Sequence, residues 1–264
     1  MIDIHNHLLP GLDDGSPDME TSIAMARMAV ADGITHIVCT PHANHRYPYD
    51  PFRVEDLITS LRARLADAGI LLQLARGADF HLTYENIQEA FADPAHFSIA
   101  GRGYLMTELP DYGAFSSFDE IYYELRLAGM TPVLTHPERN PTLQENRAKL
   151  LDWIRLGVLV QVTANSVLGH MGKKAQRMSF DLLEKKQVHF IATDAHNTSS
   201  RPPKMRETYD LIAKRYSAPY ADKLFKSNPM CAFEGKPLAE DLELRASEEN
   251  EESGKSWWQR LVRR

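Results

Sequence analysis

Short apolar or β-branched runs recur along this chain, each followed by a stretch with helical spacing, and that rhythm limits the fold more than any other feature. The runs lie at Ile2–His5, Ile37–Thr40, Leu72–Ala75, Tyr104–Leu109, Pro132–Thr135, Leu159–Thr163 and His189–Thr193. Their starts are spaced by roughly 27 to 36 residues, the length of one strand–helix unit. Between the first two runs, Met19, Ile23, Ala26 and Val30 follow at helical intervals. Ser16-Pro17 reads there as an N-cap with proline in the first helical position, and Gly33 as the stop. A second helix is expected from Phe52 to Asp67. Others are expected over Phe118–Ala128, Leu143–Arg155, Lys173–Lys186, Lys204–Arg215 and Ala218–Lys226. Seven such units in a row imply α/β architecture, either a closed parallel barrel or a doubly wound open sheet. The barrel is the expectation, because polar residues end nearly every strand, whereas an open sheet gathers them at one switch point.

Length and composition set the outer bounds. A chain of 264 residues with 43% hydrophobic and 25% charged residues suits one large domain, expected to span 1–237. From 238 to 264 the expectation is an acidic, disordered tail that ends in a Trp/Arg segment, Trp257-Trp258-Gln259-Arg260. That segment could touch a membrane surface or a partner protein. No apolar stretch is long enough for a membrane span, and the start lacks the basic and apolar regions of a secretory signal. Two cysteines, Cys39 and Cys231, fit a reducing cytoplasm rather than a disulfide framework. A formal net charge of −6 argues against a protein that grips nucleic acid over a broad face.

The strand ends carry the chemistry. The first run closes on His5 and His7, two imidazoles one residue apart, which alternation along a strand turns to the same side. Asp13-Asp14-Gly15 follows in the next loop. Later ends supply His42, Asp79, Glu108, then His136 with Arg139, and finally Asp194 with His196. Any one of these could be a helix cap, a loop histidine or an ion-pair partner. Together they put nine nitrogen and oxygen donors at the carboxyl ends of the strands, where barrel active sites are built, and imply a multinuclear metal site. Of the remaining histidines, His45 and His81 lie close enough to line that site. His36 and His189 begin their strands at the opposite end, and His96 and His170 lie in helical or loop stretches; these four read as structural or solvated.

With those motifs in view, residues 1–233 resemble the polymerase-and-histidinol-phosphatase (PHP) superfamily. More narrowly, they are similar to the manganese-dependent protein tyrosine phosphatases of bacterial capsule and exopolysaccharide loci. The resemblance rests on the opening Ile2-Asp3-Ile4-His5-Asn6-His7, on Asp13-Asp14-Gly15, and on Gly129-Met130-Thr131-Pro132-Val133 leading to His136-Pro137-Glu138-Arg139. It rests most of all on Ala192-Thr193-Asp194-Ala195-His196-Asn197 followed by Arg201-Pro202-Pro203. It implies a distorted seven-stranded (β/α)7 barrel with three divalent ions. One ion would be held by His5, His7, Asp79 and Asp194, a second by Asp79, Glu108 and His136, and a third by Asp14, His42 and His196. Arg139 and Arg201 would bind the substrate phosphate, and His42 or Asp14 could donate a proton. The bridging position, usually glutamate in such phosphatases, is Asp79 here.

The chemistry implied is phosphomonoester hydrolysis by a hydroxide that two metals share, on phosphotyrosine in a partner protein such as a bacterial tyrosine kinase. Mixed imidazole and carboxylate ligation favours Mn²⁺ and also suits Fe or Zn. A small-molecule phosphatase, such as one acting on histidinol phosphate, is the alternative. A thiol mechanism does not fit: it needs arginine six positions after the cysteine, and those positions hold His45 and Pro237.

Overall fold

The computed structural model describes residues 1–110 and 117–239. Its strands are β1 (Ile2–Asn6), β2 (His36–Cys39), β3 (His42–Ala43), β4 (Gln73–Arg76), β5 (Asp79–His81), β6 (Tyr104–Glu108), β7 (Thr131–Thr135), β8 (Leu159–Thr163) and β9 (Phe190–Ala192). They form a three-stranded sheet, β1-β2-β4, and a six-stranded sheet, β3-β5-β6-β7-β8-β9, with every pair parallel. Helices fill the connections, as βαβ units require.

The two additional strands, β3 and β5, lie just beyond the ends of two of the expected runs, Ile37–Thr40 and Leu72–Ala75. Pro41, which has no N–H to donate, separates β2 from β3, and Gly77-Ala78 separates β4 from β5. Pairing nevertheless continues across both breaks: Gly77 N donates to Cys39 O at 2.9 Å and Asp79 N to Pro41 O at 3.0 Å. Glycine is required at 77 because the chains approach closely there. A Cβ would lie 2.8 Å from Val38 Cγ1.

The strands are buried on both faces. Ile2, Ile4, Val38, Tyr104, Met106, Val133, Leu159, Phe190 and Ala192 meet in one apolar cluster. The alternate residues Ile37, Leu105, Leu134, Val160, Val162 and Ile191 join a larger cluster with helix residues such as Ile58, Leu61, Leu125 and Trp153. That is why the runs look continuously apolar in sequence. Leu238, one residue past the expected domain edge, is buried in the first cluster. The acidic tail and its Trp/Arg segment lie outside the described residues. Among the described residues, no helix is long and apolar enough to cross a membrane.

Two helix expectations need correction, and one helix was not expected. The first helix, Met19–Ala31, is capped by Asp18 and not by Ser16. The Asp18 carboxylate reaches the Thr21 amide at 2.8 Å, while the Ser16 hydroxyl is turned to Asp18 O and Ser22 Oγ. The helix expected over Leu143–Arg155 is two, Pro141–Glu145 and Ala148–Arg155, because Asn146 leaves helical geometry and its side chain accepts from Ala148 N. A helix capped by Thr83, Tyr84–Ala92, had no counterpart in the sequence reading.

β1 and β9 belong to different sheets, yet they meet at a bridge between Asn6 and Ala195. Asp194 N donates to His5 O at 2.8 Å and His7 N to Ala195 O at 2.9 Å. Beneath this contact the fully buried Asp3 accepts from Thr193 N at 2.9 Å, from Thr193 Oγ1 at 2.5 Å and from Asn6 Nδ2 at 2.8 Å. Burial pushes the Asp3 carboxyl up, and these donors oppose the shift. Each donor stranded in the interior costs about 1–3 kcal/mol. Asp3→Ala should therefore lower unfolding stability by about 2–4 kcal/mol, read as a lower urea midpoint with an unchanged slope.

Candidate metal centre

The parallel sheets put all the strand carboxyl ends at one edge, and register then decides which side chains meet. His42 lies opposite Asp79 across β3 and β5, and His81 opposite Glu108 across β5 and β6. The β1–β9 contact brings Asp194 and His196 to His5 and His7. Four overlapping groups of donor atoms result: His7, Asp14, His42 and His196; His42, Asp79, His81 and Glu108; His5, Asp79 and His136; His5, His7 and Asp194. They contain all nine expected ligands and one more residue, His81.

Two of the donors are aimed by unusual backbone. His136 and Asp194, each just beyond a strand end, have φ of 33° and 52°. Left-handed backbone is unfavourable for residues with a Cβ and persists where the surroundings impose it, most often at functional sites. Gly15 is needed for a different reason: a Cβ there would lie 2.4 Å from His7 O. That close approach folds the Asp13-Asp14 loop back over His7.

The imidazoles share one arrangement. His7 Nδ1 is 2.6 Å from Asp13 Oδ2, His5 Nδ1 is 3.0 Å from Gln161 Oε1, and His196 Nδ1 is 3.0 Å from Asp194 O. An acceptor on Nδ1 holds a proton there and turns Nε2 inward, the orientation found in metal-ligating histidines. The three Nε2 atoms point into the site. Those of His5 and His7 lie 3.5 and 3.3 Å from Asp194 Oδ1, and His196 Nε2 lies 3.6 Å from Asp14 Oδ1.

The carboxylates pose the complementary problem. Asp79 is fully buried and faces only imidazoles, His42 Nδ1 at 3.1 Å and His5 Nε2 at 3.6 Å, with no well-aligned hydrogen bond; Glu108 Oε2, beside His81, and His196 Nε2 are likewise left without one. Buried charges without partners are costly unless a cation compensates them. Burial works to raise Asp79 and Asp194, but nearby imidazoles, and the arginines beside Asp194, hold both well below the usual carboxylate range. Burial lowers His7, yet Asp13 and Asp194 outweigh it and lift the imidazole to about 10. The donor set thus draws in positive charge and fits divalent cations held by oxygen and nitrogen.

Beside this cluster, Arg139 and Arg201 converge on Asp194 Oδ2, the latter at 2.5 Å. The two expected phosphate binders therefore lie next to each other at the edge of the donor groups. Sequence reasoning missed Gln161 and took Asp13 only as a possible helix cap. A polar residue between Val160 and Val162 in a buried strand was the available signal for Gln161. His36, His189, His96 and His170 belong to none of the four groups. His189 Nδ1 accepts from Val160 N, and His36 packs edge-on against Phe233. His45 is outside the groups too, lining a neighbouring cleft with Asn44, Tyr49 and Asn86. The Cys39 thiol is buried in the apolar core, which pushes it up and keeps it protonated, so it cannot serve as a thiolate nucleophile.

The family model for capsular polysaccharide synthesis, CpsB/CapC, matches residues 1–234. The chain belongs to the CpsB/CapC family. It is 34% identical over 219 residues to the tyrosine-protein phosphatase YwqE of Bacillus subtilis, covering 83% of this chain and 86% of that protein. With the tyrosine-protein phosphatase CpsB of Streptococcus pneumoniae it shares 28% identity over 235 residues, 87% of this chain and 96% of that one. One solved chain, described with the crystal structures of YwqE and CpsB as unique metal-dependent tyrosine phosphatases, matches with a TM-score of 0.84 at 32% identity. The match covers 90% of this chain and 96% of that chain. In this CpsB/CapC member, parallel sheets carry the donor groups and the arginine pair on one edge.

The Nδ1 acceptors give a direct test. Gln161→Ala and Asp13→Ala remove the groups that orient His5 and His7 without removing either imidazole. Each should weaken Mn²⁺ binding about 10–100-fold by isothermal titration calorimetry. Unchanged affinity in both would mean that the imidazoles are oriented by packing alone.

Proposed function

We propose that this chain is a metal-dependent protein-tyrosine phosphatase. The observation that carries the reading is the convergence of inward-turned Nε2 atoms and carboxylate oxygens without well-aligned hydrogen bonds beside two guanidinium groups. The nine strand-end residues would hold three divalent ions: His5, His7, Asp79 and Asp194 the first; Asp79, Glu108 and His136 the second; Asp14, His42 and His196 the third. Mn²⁺ best suits this carboxylate-rich set, and Fe or Zn also fits. When bound, such ions supply Lewis acidity and a deprotonated water at neutral pH.

The chain's own residues do the rest. Arg139 and Arg201 present planar forks that match phosphate oxygens in a bidentate way, and both are partly accessible, with side chains 29% and 25% exposed. An arriving phosphoryl group would compete with Asp194 Oδ2 for them. His42 and Asp14 stand 3.3 Å apart, Asp14 being the more exposed, so either could pass a proton to the leaving oxygen. A phenolate leaves with little acid help because its conjugate acid has a pKa of about 10. The seven expected runs, with β2 continuing into β3 and β4 into β5, read as one (β/α)7 barrel whose seam is the β1–β9 contact. The proposed partner is a phosphotyrosine-bearing protein, in particular a bacterial tyrosine kinase that governs exopolysaccharide export, and the proposed setting is the cytoplasm.

The full chain with Mn²⁺ should hydrolyse a phosphotyrosyl peptide, lose that activity to a chelator, and turn over histidinol phosphate far more slowly. Equal or faster turnover of histidinol phosphate would sink the protein-phosphatase reading in favour of a small-molecule phosphatase. Arg139→Ala should reduce kcat/KM for the peptide about 100-fold or more while metal content stays unchanged.

A further inference from the structure

His81 has no assigned role in the three ligand sets, yet its surroundings are those of a ligand. It ends β5 two residues after Asp79, so the two side chains leave the strand on the same side, as His5 and His7 do in β1. Its backbone is pinned: His81 O accepts from Asn86 Nδ2 at 2.9 Å, and the same amide nitrogen donates to Ala43 O at 2.7 Å. Its ring nitrogen Nε2 touches Glu108 Oε2 and lies 3.4 Å from His42 Nδ1.

The Asn44 side chain also contacts the ring. Asn44 Oδ1 accepts from Arg46 N at 2.9 Å and from Tyr47 N at 3.0 Å, which fixes the orientation of the amide. Its Nδ2 then faces His81 Nε2 at 3.1 Å. His81 Nε2, Glu108 Oε2 and His42 Nδ1 thus face one another closely enough for one cation to engage them together. Asp79, with no well-aligned hydrogen bond to either oxygen, and His42 complete the same donor group.

We propose that His81 is a direct metal ligand in this chain, sharing with Asp79 and Glu108 the ion on the β5–β6 side of the site. This rests on the metal-dependent phosphatase reading and adds a ligand to it. The Asp-x-His pair of β5 is the counterpart of the His-x-His pair of β1: each strand end supplies two donors by alternation.

The test uses the full chain and Mn²⁺ alone. Bound metal is counted by elemental analysis at a buffered free-ion concentration, and affinity is read by calorimetry for wild type, His81→Ala and His81→Gln. Replacing Mn²⁺ by Co²⁺ gives a visible spectrum that reports nitrogen ligation without any turnover. The expected result is loss of one ion, or weakening of one site by about 100-fold, with the other sites unchanged and an altered Co²⁺ spectrum in both variants. Wild-type metal number, affinity and spectrum in His81→Gln, with only KM for a phosphotyrosyl peptide raised, would overturn the proposal and make His81 a substrate contact. Circular dichroism guards against misfolding, and the glutamine variant keeps the test decisive should the alanine variant unfold. A wild type that binds the ions but does not cleave phosphotyrosine would refute the function while leaving the metal counts to decide His81.

Discussion

Asp194 lies between two kinds of positive partner, and most of the site is arranged around it. Its Oδ1 faces His5 and His7 and is 3.6 Å from His196 Nδ1, while its Oδ2 takes both Arg139 and Arg201. A single buried carboxylate thus joins the imidazole cluster to the guanidinium pair. Its backbone amide also bonds His5 O across the contact between the sheets. The left-handed turn at Asp194 is what lets one residue do both, because an extended continuation of β9 would aim the carboxylate elsewhere. Fold and site are joined at this residue, and the contact between β1 and β9 cannot loosen without disordering the donors.

The same coupling explains which parts were legible in sequence. Strand positions were readable because both faces are buried, so each strand is a compact apolar run that ends where the polar donors begin. His5, His7, His136, Asp194 and His196 stood out as hydrophilic residues directly abutting those runs. Gln161 and Asp13 did not, because they act on the imidazoles from outside the donor set and their residue types are common in loops and strands. The breaks after Cys39 and Arg76 were signalled by Pro41 and Gly77, but only the packed structure shows that a Cβ at 77 would meet Val38. The Ser16 cap failed for a local reason: Asp18 offers a stronger acceptor two residues later, and the Ser16 hydroxyl is better satisfied inside.

Charge balance gives the composition a meaning it lacked on its own. A net charge of −6 spread over 264 residues says little. Concentrated locally it says more, since Asp13, Asp14, Asp79, Glu108 and Asp194 crowd one edge of the sheets. Against these five carboxylates the chain sets a cluster of imidazoles and two arginines. Imidazoles on this edge gain protons where carboxylates dominate, as at His7, and lose them where burial and neighbouring cations dominate, as at His136 and His196. A cluster with such opposed tendencies over a few ångströms is unstable as a set of bare side chains and coherent as a set of ligands.

Phosphoryl recognition and contact with the rest of a substrate make different demands on that edge. The ligand-type residues recognise a phosphoryl group whatever it is attached to, since their demands are those of charge and geometry. Discrimination must come from what borders them, and the aromatic and polar side chains after β3 and β5 are placed for it. Tyr47 stacks over His42 with an interplanar angle of 16°, and Arg46 lies over the Tyr47 ring. Phe52 and Tyr84, at the starts of the helices that follow β3 and β5, leave their rings largely exposed. Helices that follow parallel strands begin at the carboxyl edge, so these rings stand on the same side of the molecule as the donors. An open rim of aromatic rings suits a phosphorylated side chain presented by another protein better than a small metabolite, which binding sites usually enclose.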